Sequence, residues 1–261
     1  MLIAVNGYCA VTDSDYDHTQ DNDCQLAWLF TGGSGTSVAD SSTNSHTGSF
    51  KGSGEPAWDT DDVPFGTEGS APNSVHFDGS DDEISTADSA DFNIGTGDAT
   101  WYVFFERDTD ATWHNLLSHT NPGDASEGWW ITMEPDTTYG NSILIAIDDS
   151  DHNSDDGIPD PADGWVSLCV TKVGTNITYY ANGVESGGAN NSKNIDDSSQ
   201  PFKMGNQNSA YGESLLDGSI AEAALFTRAL SPAEITKIYN YGLAGYTAPA
   251  TSTGQIIMVT E

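Results

Sequence analysis

The sequence predicts an all-β fold, an antiparallel β-sandwich with one short C-terminal helix, on three observations. Short runs of β-branched and aromatic residues recur between clusters of Gly, Asp, Ser and Asn, the spacing of a sandwich or barrel. Apolar residues alternate within those runs, as in Trp101, Val103 and Phe105 and again in Val166, Leu168 and Val170, so one face of each strand is fitted to a core. The dipeptides Asp78-Gly79 and Asn182-Gly183 lie between such runs. A type I′ hairpin turn wants these residues because both central positions need positive φ.

In chain order, residues 1–23 form an acidic N-terminal arm ending in DSDYDHTQDND. Strands are expected at 26–30, 74–77, 82–85, 99–106, 113–118, 129–134, 142–148, 165–172, 176–181 and 219–227. The stretch 148–164, DDSDHNSDDGIPDPADG, reads as a loop, because short carboxylates bond their own backbone and favour turns. The helix is marked residue by residue. Ser231 caps it, Pro232 suits its first position and Glu234 completes a capping box. Ile235, Ile238 and Tyr239 form the packing stripe and Gly242 stops the helix. Residues 245–261 form a tail outside the strand pattern, leaving 24–244 as one sandwich domain, a size that single sandwiches reach.

Lys and Arg total 7 against 40 Asp and Glu, a formal net charge of −33. That field repels phosphate backbones and anionic membrane surfaces, so no nucleic acid partner is expected. No membrane insertion is expected either, since the apolar run in MLIAVNGYCAV is too short to span a bilayer. Like charges push the fold apart at low ionic strength, whereas at about 1 M salt the screening length falls to roughly 3 Å. The composition therefore fits a saline habitat or bound divalent cations. An acidic shell that serves only solubility fits it equally. Of the cysteines, Cys169 lies in an apolar strand pattern and is expected to be buried, while the pairing of Cys9 with Cys24 stays open. The first residues lack a basic stretch, so with Met1 as the native start, export by the general secretory route is not expected.

Four segments lie in one order across residues 26–240: LAWLFTGGSGTSVADSSTNSHTG at 26–48, SVHFDGSDDEIS at 74–85, WVSLCVTKVGTNITYYANGVE at 165–185 and LDGSIAEAALFTRALSPAEITKIY at 216–239. Together they resemble the laminin-G-like domain of the concanavalin A-like lectin/glucanase superfamily. The resemblance implies a concanavalin A-like jelly roll. Glycanases of that superfamily carry alternating carboxylates on one strand, about 5–5.5 Å apart in retaining enzymes. A Glu-x-Asp-x-x-Glu strand is the sign, and this sequence has none; Glu83 and Glu134 are isolated. No catalytic residue is assigned and no enzyme activity is expected. The six histidines, His18, His46, His76, His114, His119 and His152, show no zinc-type spacing with the cysteines.

Calcium is the cofactor that the resemblance implies, since it takes six to eight oxygen ligands from carboxylates and loop carbonyls. Carried over by position, its ligands are Asp40, the loop near Asn44 and His46, and Glu222 in the closing strand. The family's Ile-Asp-Glu or Ile-Asp-Asp reads Ile220-Ala221-Glu222 here, one carboxylate short. A second candidate is the alternation Asp151, Asn153, Asp155. Its Gly157 comes one position later than in an EF-hand and no Glu follows at the required spacing, so the plainer reading is an acidic surface insertion. Sugar recognition needs exposed aromatics that stack on sugar rings. Trp113, Trp129, Trp130, Tyr139 and Tyr211 are the candidates, although most tryptophans in strands pack inward.

Three functions follow as expectations. The first is a non-catalytic surface protein of a virus particle, from a phage or archaeal virus: a capsid decoration, turret or tail component, adhesive to host glycans. Its partners are further copies of itself or other virion structural proteins, with the apolar ends LIAV (2–5) and QIIMV (255–259) pairing as added strands. The reasoning is that an unexported, non-catalytic chain carries a fold normally met outside cells. The second is a carbohydrate-binding module of a secreted or cell-surface protein, with a cell-surface carbohydrate as partner. The third is a glycoside hydrolase or lyase.

Overall fold

The computed structural model describes residues 17–243, apart from residues 55, 61–72, 110–111, 122–123, 136–140, 149, 155–157 and 208–213. Cys9, Tyr139, Asp155, Tyr211 and the apolar ends at 2–5 and 255–259 lie outside the described residues. In chain order the strands are β1 (Cys24–Leu29), β2 (Ser37–Val38), β3 (Gly48–Lys51), β4 (Ala57–Asp59), β5 (Ser74–Asp78) and β6 (Glu83–Thr86). Next come β7 (Ala99–Arg107), β8 (His114–Asn121), β9 (Asp124–Met133), β10 (Ile143–Ile147), β11 (Ser150–Asn153) and β12 (Val166–Val173). The last are β13 (Asn176–Ala181), β14 (Val184–Asn190), β15 (Phe202–Met204), β16 (Asn206–Gln207), β17 (Ser214–Leu215) and β18 (Asp217–Phe226), followed by helix α1 (Pro232–Tyr241).

One sheet runs β14-β13-β12-β7-β18-β5-β4, with β1 also paired to β18; the second runs β11-β10-β9-β8-β15-β6-β3-β2. The alternating residues face each other between them. Trp28, Trp101, Val103, Phe105, Leu168 and Val170 meet Ile84, Leu117, Trp129, Ile131, Ile145 and Phe202 in one core. Trp101 and Trp129 pack edge to face at 5.3 Å across the gap.

Strand β7 reads ATWYVFFER, almost without polar interruption, because both of its faces are covered. Tyr102, Phe104, Cys169 and Phe226 form a second apolar layer under Ile235 and Ile238 of α1. The capping box of Ser231 and Glu234 is formed, and Gly242 donates its N–H to Ile238 at 2.7 Å. Glu234 also binds Arg228, which reaches Asp21 on its other side. Residues 17–23, read from the sequence as part of the arm, thus lie against the sandwich, and His18 donates its backbone N–H to the Leu243 carbonyl at 3.1 Å. Cys24 and Cys169 are both buried, and that burial pushes both thiols up. Among the described residues no helix is long and apolar enough to cross a membrane.

Two local readings are corrected. Asn182-Gly183 turns with φ of 50° and 77°, as a type I′ hairpin requires, between β13 and β14. Asp78-Gly79 does not join a hairpin, because β5 and β6 belong to opposite sheets. Only Gly79 has positive φ, and the chain crosses the sandwich there, with the Gly79 N–H donating to Leu216 at 2.9 Å. The stretch 148–164 is not all loop. Its Ser150–Asn153 segment pairs with β10, and Tyr179 donates its hydroxyl to the His152 carbonyl.

Candidate functional site

The ends of β5, β7 and β18 meet at one end of the sandwich, because β18 pairs with β5 through Asp217 and Asp78 and with β7 through Gly218 and Arg107. Gly218 makes that meeting feasible. A Cβ there would stand 2.3 Å from the Glu106 carbonyl oxygen. The register brings His76, Asp108 and Asp217 together with ligating atoms within 4.8 Å of one another, and His76 Nε2 is 3.0 Å from Asp108 Oδ2. Asp217 donates its backbone N–H to His114 Nδ1 at 3.2 Å. His114 Nε2 therefore carries the proton and points at the Thr109 carbonyl, 2.8 Å away. Burial lowers the pKa of His114, which keeps it in this neutral form.

Beside this group stand Asp78, Asp81 and Asp82, also with oxygens within 4.8 Å of one another. Asp82 is buried and accepts the Asp78 N–H at 3.0 Å. Desolvation raises its pKa, and the charges of Asp78 and Asp81 add to the rise. Trp113, 36% exposed, precedes His114 on the connection from β7 to β8. The rim thus carries five carboxylates, and the exposed Trp113 lies one residue before His114, whose ring accepts the Asp217 N–H. Among the described residues no Lys or Arg forms an ion pair with any of the five. Six of the seven cations are engaged elsewhere: Lys51 and Lys203 on Glu83, Arg107 on Asp160, Arg228 on Asp21 and Glu234, Lys172 on the Gly97 carbonyl and Lys193 on the Asp148 carbonyl.

Of the expected calcium ligands, Asp40, Asn44 and His46 share one loop, whereas Glu222 is bound elsewhere. Asp40 takes four donors of its own protein, the N–H groups of Ala27, Ser42 and His46 and the Ser42 hydroxyl, at 2.7 to 2.9 Å. Its loop closes the outer edge of β1, where the Asn44 amide binds the Cys24 and Gln25 carbonyls. His46 Nε2 sits 2.8 Å from Asp91. Glu222 lies on the other side of β1's pairing, under α1, binding the Leu243 N–H and the Tyr102 hydroxyl. The reason is a β-bulge between Ile220 and Glu222. The extra residue reverses the face that Glu222 would otherwise take. Asp151 and Asn153 lie on β11, where alternate residues stand about 7 Å apart along one face instead of wrapping an ion. Asn153 donates its amide to Glu134 at 2.9 Å.

Among the aromatic candidates, Trp129 is corrected. It is fully buried between Trp101 and Phe202, since β9 turns it toward the core. Its neighbour Trp130, 9% exposed, points out of the second sheet with Leu144 and Ala146. The rim residues His76, Asp78, Asp108 and Asp217 were missed from the sequence. Their signal was the repeated Asp-Gly of FDG at 77–79, taken as a turn, and of LDG at 216–218, taken as the lead into the closing strand.

Among solved structures the chain is similar to domain 4 of AbnA, an extracellular GH43 arabinanase of Geobacillus stearothermophilus solved with arabinotriose, at 16% identity and a TM-score of 0.62. The match covers 83% of this chain and 98% of that one. It is also similar to the binding domain of Paraclostridial Mosquitocidal Protein 1, at 13% identity, TM-score 0.58, over 84% of this chain and 52% of that one. A structure of botulinum neurotoxin type C, whose cell entry depends on interaction with two ganglioside molecules, matches at 12% identity, TM-score 0.59, over 87% of this chain and 52% of that one. The chain spans about half the length of these two toxin chains. A search of the curated proteins finds no match. The fold is of a lectin and binding-domain type, and a family model matches residues 78–236, more than half of the sequence. The chain belongs to the concanavalin A-like lectin/glucanases superfamily.

Proposed function

We propose that this chain is a non-catalytic carbohydrate-binding domain, displayed outside the cell or on a surface, and that its rim takes neutral glycans in preference to anionic ones. The observation that carries the reading is a rim with an exposed Trp113 and five carboxylates that, among the described residues, no Lys or Arg pairs. An indole face stacks on the C–H face of a sugar ring, and carboxylates accept hydrogen bonds from its hydroxyls. The same carboxylates repel sialic and uronic acids. The AbnA domain, solved with a neutral trisaccharide, supports this choice over the ganglioside partner of the toxin. Glu83 supports a non-catalytic reading. Burial raises its pKa, but Lys203 and then Lys51 outweigh burial and hold the carboxyl below its ordinary value, so it is a poor proton donor at neutral pH.

A glycan array in high salt tests the proposal. Saturable binding to neutral glycans is expected, weakened at least about tenfold, or ~1.4 kcal/mol, by Trp113→Ala and by Asp217→Asn. Binding confined to sialylated or uronic glycans, or turnover of a polysaccharide, would overturn it.

A virion-surface role is a second reading, favoured by strand β14, which ends its sheet with Val184 68% exposed. Such an edge can accept a strand from a neighbouring subunit. A monomer at all concentrations in high salt would count against it.

A further inference from the structure

Asp88, His119 and Asp197 meet at the end of the sandwich opposite the rim, since β6 and β8 start beside the rim at Glu83 and His114 and run away from it. Three separate segments supply them: the chain after β6, the end of β8, and the connection between β14 and β15. Their ligating atoms lie within 4.8 Å of one another. His119 Nε2 is 3.1 Å from Asp88 Oδ1, and the histidine side chain is only 2% exposed. That buried imidazole separates this group from an acidic surface patch.

The ring is held from several sides. Phe92 and Trp129 pack on it at 5.7 and 6.4 Å, and the Gln200 backbone hydrogen-bonds it. Gly128, with φ of 88°, lets β9 pass between the partners. A Cβ there would stand 2.0 Å from the His119 carbonyl oxygen and 3.1 Å from Ser198 Cβ. A side chain at 128 would clash with the His119 backbone and press on Ser198, next to Asp197.

Among the described residues no Lys or Arg forms an ion pair with either aspartate. Two carboxylates and one orientated imidazole converge on a shared point and offer a divalent ion three ligand groups. Calcium and magnesium prefer oxygen alone, whereas an imidazole among the ligands selects zinc and its first-row neighbours. We propose that Asp88, His119 and Asp197 bind one divalent transition-metal ion, which staples strand β8 to two connections at this end of the sandwich.

The test uses the full chain, freed of metal with a chelator and titrated with zinc chloride in high salt by calorimetry. One equivalent is expected to bind. Asp88→Asn/Asp197→Asn is expected to weaken binding more than about tenfold. Both aspartates reach solvent, so the double variant keeps its fold, checked by circular dichroism. Without any substitution, zinc is expected to shift the 15N resonance of His119 Nε2 in the wild-type chain. No zinc binding, binding that survives the double substitution, or an unmoved His119 resonance would each overturn the proposal. Binding of calcium with none of zinc would overturn it as well. None of these readouts depends on a glycan.

Discussion

Glu222 accepts the backbone N–H of Leu243 at 3.1 Å, so the closing strand reaches through its outer face to hold the chain just past the helix. The contact exists because the bulge after Ile220 turns Glu222 out of the core, into a layer shared with Tyr102 and Phe226. Glu222→Ala would strand the Leu243 N–H in that buried layer. An unmade buried hydrogen bond costs roughly 1–3 kcal/mol. Urea unfolding should show a loss of that size, whereas Glu222→Gln, which keeps an acceptor, should lose less. An Ala variant as stable as wild type would refute the anchoring role.

Charge repulsion should make stability depend on salt. Four of the seven cations, Lys51, Lys203, Arg107 and Arg228, are tied to Glu83, Asp160, Asp21 and Glu234, leaving most of the 40 acidic residues without a paired cation. The screening length is about 30 Å at 0.01 M salt and roughly 3 Å at 1 M. The Tm should rise by several degrees between these limits, at about 2–4 °C for each kcal/mol of repulsion removed. A Tm that does not move with salt would contradict the premise.

Asp82 offers a gain. Its folded-state pKa is raised, first by desolvation and then by the neighbouring aspartates. A raised folded pKa favours the native state below the unfolded value, and that advantage is lost as pH rises through the folded value. Asp82→Asn keeps an acceptor for the Asp78 N–H and removes the buried charge. It should raise the Tm at pH 7, with the gain fading below about pH 4. Equal gains at both pH values would point to a cause other than ionisation.

Glu234 has the opposite sign. Burial works to raise its pKa, but hydrogen bonds from Arg228 and the Ser231 cap, with the charge of Arg228, lower it to about 2. A depressed folded pKa contributes stability that is present above the unfolded value and lost as pH falls through the folded one. That window runs from about pH 4.5 down to about 2. Unfolding measured across it should fall less steeply in Glu234→Gln than in wild type. Parallel curves for the two proteins would remove Glu234 from the account.

The sequence carried the local chemistry further than the long-range pairing. The cap at Ser231, the positive φ at Asn182 and Gly183 and the inward row of β7 each depend on residues within one turn or strand. The rim joins His76 to Asp108 and Asp217 only through the register of β5, β7 and β18. Periodicity says which face a residue takes, not which strand lies beside it. A bulge defeats even the face, as at Glu222, because one extra residue inverts the alternation beyond it. Strand β14, VESGGAN, shows no alternation at all, and its pairing follows from the tight turn before it.

The bond between His18 and the Leu243 carbonyl places the two ends of the described residues side by side, next to Phe226 at the far end of β18 from Asp217. Nine residue steps separate Asp217 from Phe226, or about 30 Å of extended strand. The described chain therefore enters and leaves the sandwich through one small patch. Trp113, on the connection from β7 to β8, stands at the opposite end.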